Sequence, residues 1–395
     1  MKVIYKIKKY IYKGIFFNHL FRYIFFTSKI YKIFNIILPL VKVNPCRIFF
    51  DHFAGKGYGD NPKYIAEKLH EKHPEYEILF AYDKEICNKS SFPSFVKLVP
   101  IYSLRHLFAL ASSKFWIFDY RPLVHIKKRE SQIYIQTWHA VIGTKKSERD
   151  SEKELSKTYV KNAIEDSTLI DLCVAGSRQM YDFHKNSFWY SGEILKSGCP
   201  RSDILFDSNK TCEIRKRLGF DNKKICIYAP TFRNSHSLLV YNIDFEKLRQ
   251  SLEKKYSGEW IVMLRLHPNM SDIDVSGMPG FVKNFSSYED VQELLSIADV
   301  LITDYSSIIY DFMLTGRPAF IYASDFNDYK NERGFLINLT ETPFPFAENN
   351  SELEKNIINF NFNSYQNNIS EFKKKVGSFD DGYASERLVK WIEEK

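Results

Sequence analysis

Several stretches set side chains suited to proton transfer or anion binding just beyond apolar, strand-like runs. "YIQTWHAVIGTKK", residues 134–146, carries His139 directly after Trp138. "MLRLHPNM" carries His267 in the same relation to its run, with Pro268 as the stop and Arg265 two residues back on the same strand face. "VLITDYSSIIYDFMLTGRP" places Asp304, Ser306 and Ser307 after Val300 to Thr303, and "YAPTFRNS" delivers Thr231 and Arg233. An imidazole takes a proton from a hydroxyl, while serine hydroxyls, first-turn N–H groups and an arginine fork are phosphate ligands. A base opposite such a cradle is the arrangement phosphoryl transfer needs. Plainer roles stand beside each of these: a packed ring for His139, a carbonyl partner for His267, an N-cap for Ser306 and a salt bridge for Arg233. Asp304 beside phosphate would repel it, so it reads as a cap or as the holder of a neighbouring donor.

"DHFAGKGYGDNPKYIAEKL" puts Gly55, Gly57 and Gly59 before a helix without the dinucleotide fingerprint spacing. Asp60 or Asn61 is the expected N-cap, with Pro62 at the first helical position. A flexible glycine loop here suits an acceptor entrance.

The elements that must position these residues follow from an alternation of short apolar runs with amphipathic segments, which implies βαβ units and parallel sheets. "CRIFF", "YEILFAY", "KFWIFD", "QIYIQTW" and "LIDLCVAG" read as strands of a first domain over residues 45–205. "KKICIYAP", "WIVMLRL", "VLIT" and "PAFIYA" read as strands of a second over residues 206–395. The polar stretch "FDSNKTCEIRKRLGFDNKK" is the expected hinge, and the last helix, around "GYASERLVKWIEEK", is free to pack back on the first domain. The expected fold class is α/β and GT-B-like, two doubly wound Rossmann-type domains facing a cleft. Ligands of such sheets sit beyond the carboxyl ends of the strands, where every motif above lies.

Composition excludes several classes. At 395 residues, 44% hydrophobic and 26% charged, the chain is neither disordered nor fibrous. The net charge of +8 is concentrated in residues 1–50, which hold ten basic residues and no Asp or Glu; the rest carries 46 basic against 48 acidic. A nucleic-acid binder would spread its basic surface over the folded body. Here the charge is interleaved with Ile, Phe and Tyr, so residues 1–44 read as an amphipathic segment lying on an anionic membrane, with an amphipathic helical pair packed on the body as the alternative. No uncharged run there approaches the roughly 18–20 residues of a bilayer span, and no signal peptide is evident, which gives a peripheral protein of the cytoplasmic membrane face. Six cysteines without C-x-x-C pairing and ten histidines without H-E-x-x-H give neither a disulfide framework nor a metal site.

"QTWH", "YAPTFR", "LRLHP", "TDYSSIIYDF" and "GRPAFIYASDFNDYKNERGF", in this order, resemble the CDP-glycerol:glycerophosphotransferases, the teichoic acid primase and polymerase family. "GDNPKYI", "GCPRSDIL" and "DGYASERLV" extend the resemblance from about residue 50 to the C-terminus. It implies that His139 is the base, that Arg233, His267, Ser306 and Ser307 hold the diphosphate of CDP-glycerol, with His267 counted beside His139 as catalytic, and that Glu332 lies near the nucleotide. Gly57, Asp60, Asn61 and Ala140 fall on the acceptor side. Where the family keeps a glycine followed two residues later by proline, this chain has Ala140 and no proline, which bears on the acceptor more than on the donor chemistry.

The expected reaction moves glycerol phosphate from CDP-glycerol to a hydroxyl of a membrane-linked glycan or growing polymer, releasing CMP, in teichoic-acid-like or capsule polymer synthesis. It requires no cofactor, and a loosely held Mg2+ ion is compatible with it. CDP-ribitol as donor, a sugar transferase of the same architecture using a nucleotide sugar, and a catalytically silent membrane scaffold stay open as alternatives.

Overall fold

A computed structural model describes residues 35–122, 127–143, 146–231, 242–266, 277–326 and 339–395. The basic aromatic segment up to residue 34 lies outside the described residues.

The first sheet has seven parallel strands: β1 (Asn44–Asp51), β2 (Glu77–Tyr82), β3 (Val96–Pro100), β4 (Ser113–Phe118), β5 (Ile133–Gln136), β6 (Leu172–Val174) and β7 (Glu193–Leu195). Their order is β3-β2-β1-β4-β5-β6-β7, so the winding reverses between β1 and β4. Alternation assigns neighbouring residues to opposite faces. Ile48, Phe50, Phe115 and Ile117 pack with Ile65 and Leu69 of helix α1 (Asp60–Lys72). Phe49, Trp116 and Phe118 pack with Leu107 and Leu110 of helix α2 (Leu104–Ser112). Both faces are thus covered, as parallel sheets require. Helices α3 (Lys157–Ser167) and α4 (Arg178–Ser187) complete this half.

The second sheet contains β8 (Lys224–Ala229), β9 (Trp260–Leu264), β10 (Val282–Asn284), β11 (Val300–Thr303), β12 (Ala319–Tyr322) and β13 (Phe346–Ala347), ordered β10-β9-β8-β11-β12-β13. It repeats the winding of the first, with the reversal between β8 and β11. Its helices are α5 (Ser208–Leu218), α6 (Phe245–Tyr256), α7 (Val291–Ile297), α8 (Ile308–Met313), α9 (Asn350–Ile358) and α10 (Phe362–Val376). Two parallel α/β sheets of this kind are the expected GT-B-like class.

Two details differ from the sequence reading, and a third, the packing of the last helix on the first domain, agrees with it. The short strands β3, β7, β10 and β13 were not expected. The polar stretch read as a hinge is mostly helix α5, capped by the Asp207 carboxylate on the Asn209 and Lys210 amides and stopped by Gly219 at φ 75°. The C-terminal helix α11 (Ala384–Glu393) buries Leu388, Val389 and Ile392 against the first sheet, and its first amides, Ala384 and Ser385, donate to Asp203 at 2.9 and 2.7 Å.

One buried cation organises the loops that flank the site. Arg121, just beyond β4, donates Nε to Glu148 at 2.6 Å and Nη1 to Asp166 at 2.8 Å, while Nη2 reaches the Phe188 carbonyl at 3.0 Å. Its guanidinium also lies 3.7 Å from the Phe188 ring centroid. Burial pushes Asp166 up to about 6, against the pull of Arg121. Removing the cation leaves two buried carboxylates with tyrosine hydroxyls but no positive charge, so Arg121→Ala is expected to lower stability by about 3–5 kcal/mol. The urea midpoint of the first unfolding transition measures this, and an unchanged midpoint contradicts it.

Candidate active site

His139 follows β5 through a backbone that ordinary residues avoid. Trp138 has φ 53°, a left-handed conformation that costs a bulky residue about 1–3 kcal/mol and persists only where its surroundings hold it. Here the Trp138 amide donates to the Gln136 side chain at 3.0 Å, and its carbonyl accepts from Asn61 Nδ2 at 2.9 Å. Strain held in this way turns the imidazole out of the strand. The His139 ring packs on Trp138 and Phe53, with centroids 4.3 and 5.0 Å away. Its Nδ1 lies 2.8 Å from the Asp119 carbonyl oxygen. A carbonyl only accepts, so Nδ1 carries the proton, and neutral imidazole keeps its lone pair on Nε2, which has no hydrogen-bond partner among the described residues.

Ala140 needs no glycine, since its φ is not positive; the unusual backbone lies one residue earlier, at Trp138. The next residues are fixed by α4: Gln179 exchanges two hydrogen bonds with Gly143, at 3.0 and 3.1 Å, and Ser177 donates to the Val141 carbonyl at 2.9 Å.

Asp60 and Asn61 do not cap the first helix in the expected way. The helix begins at Asp60, with extended Gly59 as its N-cap, so Pro62 is the third helical residue rather than the first. Asn61 is fully buried, and besides holding Trp138 it accepts from the Arg201 amide at 3.0 Å. The Arg201 side chain bridges the two halves, with Nη1 2.7 Å from Asp60 and Nη2 3.0 Å from Asp311 of α8. Burial works against charge on Asp60, but Arg201, with His52 and His139 nearby, holds its carboxyl below the usual range. A second tie joins Lys63 to Asp290 and Glu293, each at 2.7 Å, and Tyr64 to Asp290 at 2.7 Å. Gly57 is buried at φ 147° with open space where a β-carbon would stand.

From the second half, Ser306 and Ser307 are half-buried at the start of α8, with Ser307 as its N-cap. Ser307 lines a cavity of about 490 Å³ together with His139, Ala140, Gly143, Asp150 and Gln179. One cavity therefore touches the expected base and one expected phosphate ligand. Asp304 accepts the Thr231 amide and hydroxyl at 2.9 and 3.0 Å and the Tyr305 amide at 2.6 Å, so it holds neighbouring donors. Arg265 is directed elsewhere than the sequence suggested: its Nη1 donates to the carbonyls of Phe285, Ser286 and Tyr288, which ties down that loop. His267, Arg233 and Glu332 lie outside the described residues. Among the described residues, no group of three or more His, Cys, Asp and Glu side chains is arranged to hold a metal ion.

Three residues escaped the sequence reading. Asp119 and Arg201 act through partners tens of residues away, which local pattern cannot reveal. His52 could have been found: it follows a strand just as His139 does. Its Nδ1 lies 2.5 Å from Asp119 Oδ2.

If the Asn61 clamp holds the His139 turn, Asn61→Leu leaves the Trp138 carbonyl with only the Thr137 hydroxyl, at 3.2 Å, and the Arg201 amide unpaired, the latter worth about 1–3 kcal/mol. Hydrogen–deuterium exchange is then expected to quicken over residues 136–143 and around Arg201, with β8 to β13 unaffected. Unchanged exchange at 136–143 would sink the clamp.

Comparison with known proteins places the chain in a family. The chain is 31% identical over 366 residues to a teichoic acid poly(glycerol phosphate) polymerase of Staphylococcus epidermidis, covering 88% of this chain and 50% of that one. It is 29% identical over 384 residues to the polymerase of the same name from Bacillus spizizenii, covering 94% and 98%. The chain thus spans about half the length of the first relative and nearly all of the second. The structure of the wall teichoic acid polymerase TagF, in a variant soaked with CDPG, superposes with a TM-score of 0.80 at 28% identity, covering 95% of this chain and 97% of that one. The profile of one family matches residues 31–394, and the chain belongs to that family, CDP-glycerol:poly(glycerophosphate) glycerophosphotransferase.

Proposed function

We propose that this chain transfers glycerol phosphate from CDP-glycerol to a hydroxyl group of a membrane-linked glycan or growing polymer. The acceptor oxygen attacks the β-phosphorus, forming the new P–O bond. The bond from that phosphorus to the bridging oxygen breaks, CMP leaves with the electron pair, and the hydroxyl proton passes to His139 Nε2. Ser306, Ser307 and Thr231, with Arg233, His267 and Glu332, form the donor side, and Ala140 and the loop around Gly57 form the acceptor side. What carries this reading is the cavity bounded by His139 from one sheet and Ser307 from the other, with His139 Nδ1 already committed to a carbonyl. Family membership supports the donor and the reaction class.

The same reading has the protein working at an anionic membrane surface, on its cytoplasmic side. No helix among the described residues is long and apolar enough to cross a membrane. What supports surface binding is apolar exposure beside the basic N-terminal segment. Ile36 and Leu40 are 78% and 85% exposed, and Leu104 and Phe108 of α2 are 66% and 53% exposed. Leu38 packs in the same core cluster as Leu107 and Leu110 of that helix, which brings the two segments together.

Two measurements test the proposal. His139→Gln is expected to lower CMP release from CDP-glycerol by roughly 100- to 10,000-fold, the usual worth of a general base; full turnover would remove His139 as the base. CDP-ribitol and a nucleotide sugar run beside CDP-glycerol, and turnover of only the sugar would defeat the phosphotransferase reading. Replacing Leu104 and Phe108 together by serine is expected to weaken pelleting with anionic liposomes about tenfold or more, given the apolar area removed. Equal pelleting speaks against that surface.

A further inference from the structure

The winding of the first sheet reverses between β1 and β4, and open α/β sheets receive their ligands in the crevice beyond the strand ends at such a reversal. Two residues straddle that crevice: His52, directly after β1, and Asp119, directly after β4. Asp119 is buried and serves both histidines of this region. Its carboxylate lies 2.5 Å from His52 Nδ1, and its backbone oxygen lies 2.8 Å from His139 Nδ1. The second carboxylate oxygen accepts the Phe53 amide at 3.1 Å, and the Phe53 ring stands between the imidazoles, 5.1 Å from one and 5.0 Å from the other.

The two anchors differ in kind. A neutral carbonyl fixes the tautomer of His139 and leaves Nε2 a base. A carboxylate stabilises the charged form of His52 and leaves its Nε2–H as a donor. The His52 side chain is 18% exposed, its Nε2 has no hydrogen-bond partner among the described residues, and it lies near Gly59, where the first half meets the Glu289 carbonyl of the second.

We propose that His52 is a phosphate-binding histidine of the same cleft: an imidazolium held by Asp119 that donates Nε2–H to a phosphate oxygen, while His139 serves as the neutral base. The phosphate belongs either to the nucleotide donor or to the phosphodiester end of the incoming polymer. This inference rests on the phosphotransferase reading, and it adds a second histidine that donates to the ligand instead of accepting from it.

The charges around His52 agree. Burial works against the imidazolium, but Asp119, with Asp60 and Asp51 behind it, outweighs burial and raises His52 above its ordinary value. The groups facing it are Asp51 from β1, Asp119 from the end of β4 and Asp60 from α1, the last shared with Arg201 and His139. Asp51 is pushed up to about 7 by burial, against its hydrogen bonds from Tyr120 and Gly55, so its own titration is a competing source of pH dependence. Because His52 is raised, the cation is complete below its unfolded value, and anion binding is lost as pH rises through the folded one.

The test uses the full chain and two probes, inorganic pyrophosphate by titration calorimetry and CDP-glycerol by steady-state turnover. His52→Gln is expected to weaken pyrophosphate binding about tenfold or more at pH 6, the worth of a charge-assisted hydrogen bond, and to flatten its pH dependence. Asp119→Asn keeps His52 and the backbone carbonyl under His139, so binding should fall at lower pH than in the unaltered protein. Equal affinity with and without His52, no binding of pyrophosphate by the unaltered chain, or an alkaline loss that survives in His52→Gln and so belongs to Asp51, overturns the proposal. In turnover, a raised KM for CDP-glycerol assigns the contact to the donor, and a raised KM for a synthetic glycerol phosphate oligomer assigns it to the acceptor. A chain inert toward CDP-glycerol removes the phosphotransferase reading, while the pyrophosphate titration still decides the role of His52.

Discussion

The geometry of the cleft depends on one guanidinium. Arg201 is 7% exposed and sits between Asp60 of the first half and Asp311 of the second. A charge taken out of water is tolerated where its partners are in place, and losing one partner is costly. The two sheets therefore meet in a fixed relation, because moving them apart must break one arm of this bridge. Gln292 steadies Asp311 from α7 at 2.8 Å, and the Lys63–Asp290 pair repeats the device nearby.

The consequence reaches the chemistry within one residue. The backbone amide of Arg201 binds Asn61, and Asn61 binds the carbonyl of Trp138, the strained residue that aims His139. Domain closure and the orientation of the base are thus the same network. Asp119 adds the complementary restraint, fixing the tautomer of His139 through its main chain while its side chain engages His52. The loop after β1 has Phe53, Ala54 and Gly55 all at positive φ. A β-carbon on Gly55 would come within 2.7 Å of the Asp83 amide nitrogen, so only glycine fits there.

How much of this was legible in the sequence depended on how local each cause is. The strand runs and the histidine after "YIQTW" were readable because apolar patterning and a strand end are local. The two-sheet class followed from their alternation. β3, β7 and β10 each hold a charged residue and β13 has only two residues, so none of them presents the unbroken apolar run that marks the equally short β6 and β11. The polar stretch that reads as a hinge is mostly helix α5, whose polarity masks its caps. Arg265 read as a phosphate ligand from its strand face, yet its partners are carbonyls about twenty residues on. Asn61 read as a helix cap, although its real partner, Trp138, lies 77 residues away. The emphasis on Ala140 moved to Trp138, since strain at φ 53° leaves no mark in composition.

The central claim is that the donor's β-phosphate lies between the two halves, facing His139 on one side and Ser307 on the other. A crystal structure of the His139→Gln protein with CDP-glycerol bound tests it most directly. The account predicts the Ser307 hydroxyl within about 3 Å of a β-phosphate oxygen, with the phosphorus facing residue 139. A diphosphate seated instead in the neighbouring cavity of about 500 Å³, lined by Lys63, Arg217 and Glu293, would contradict it.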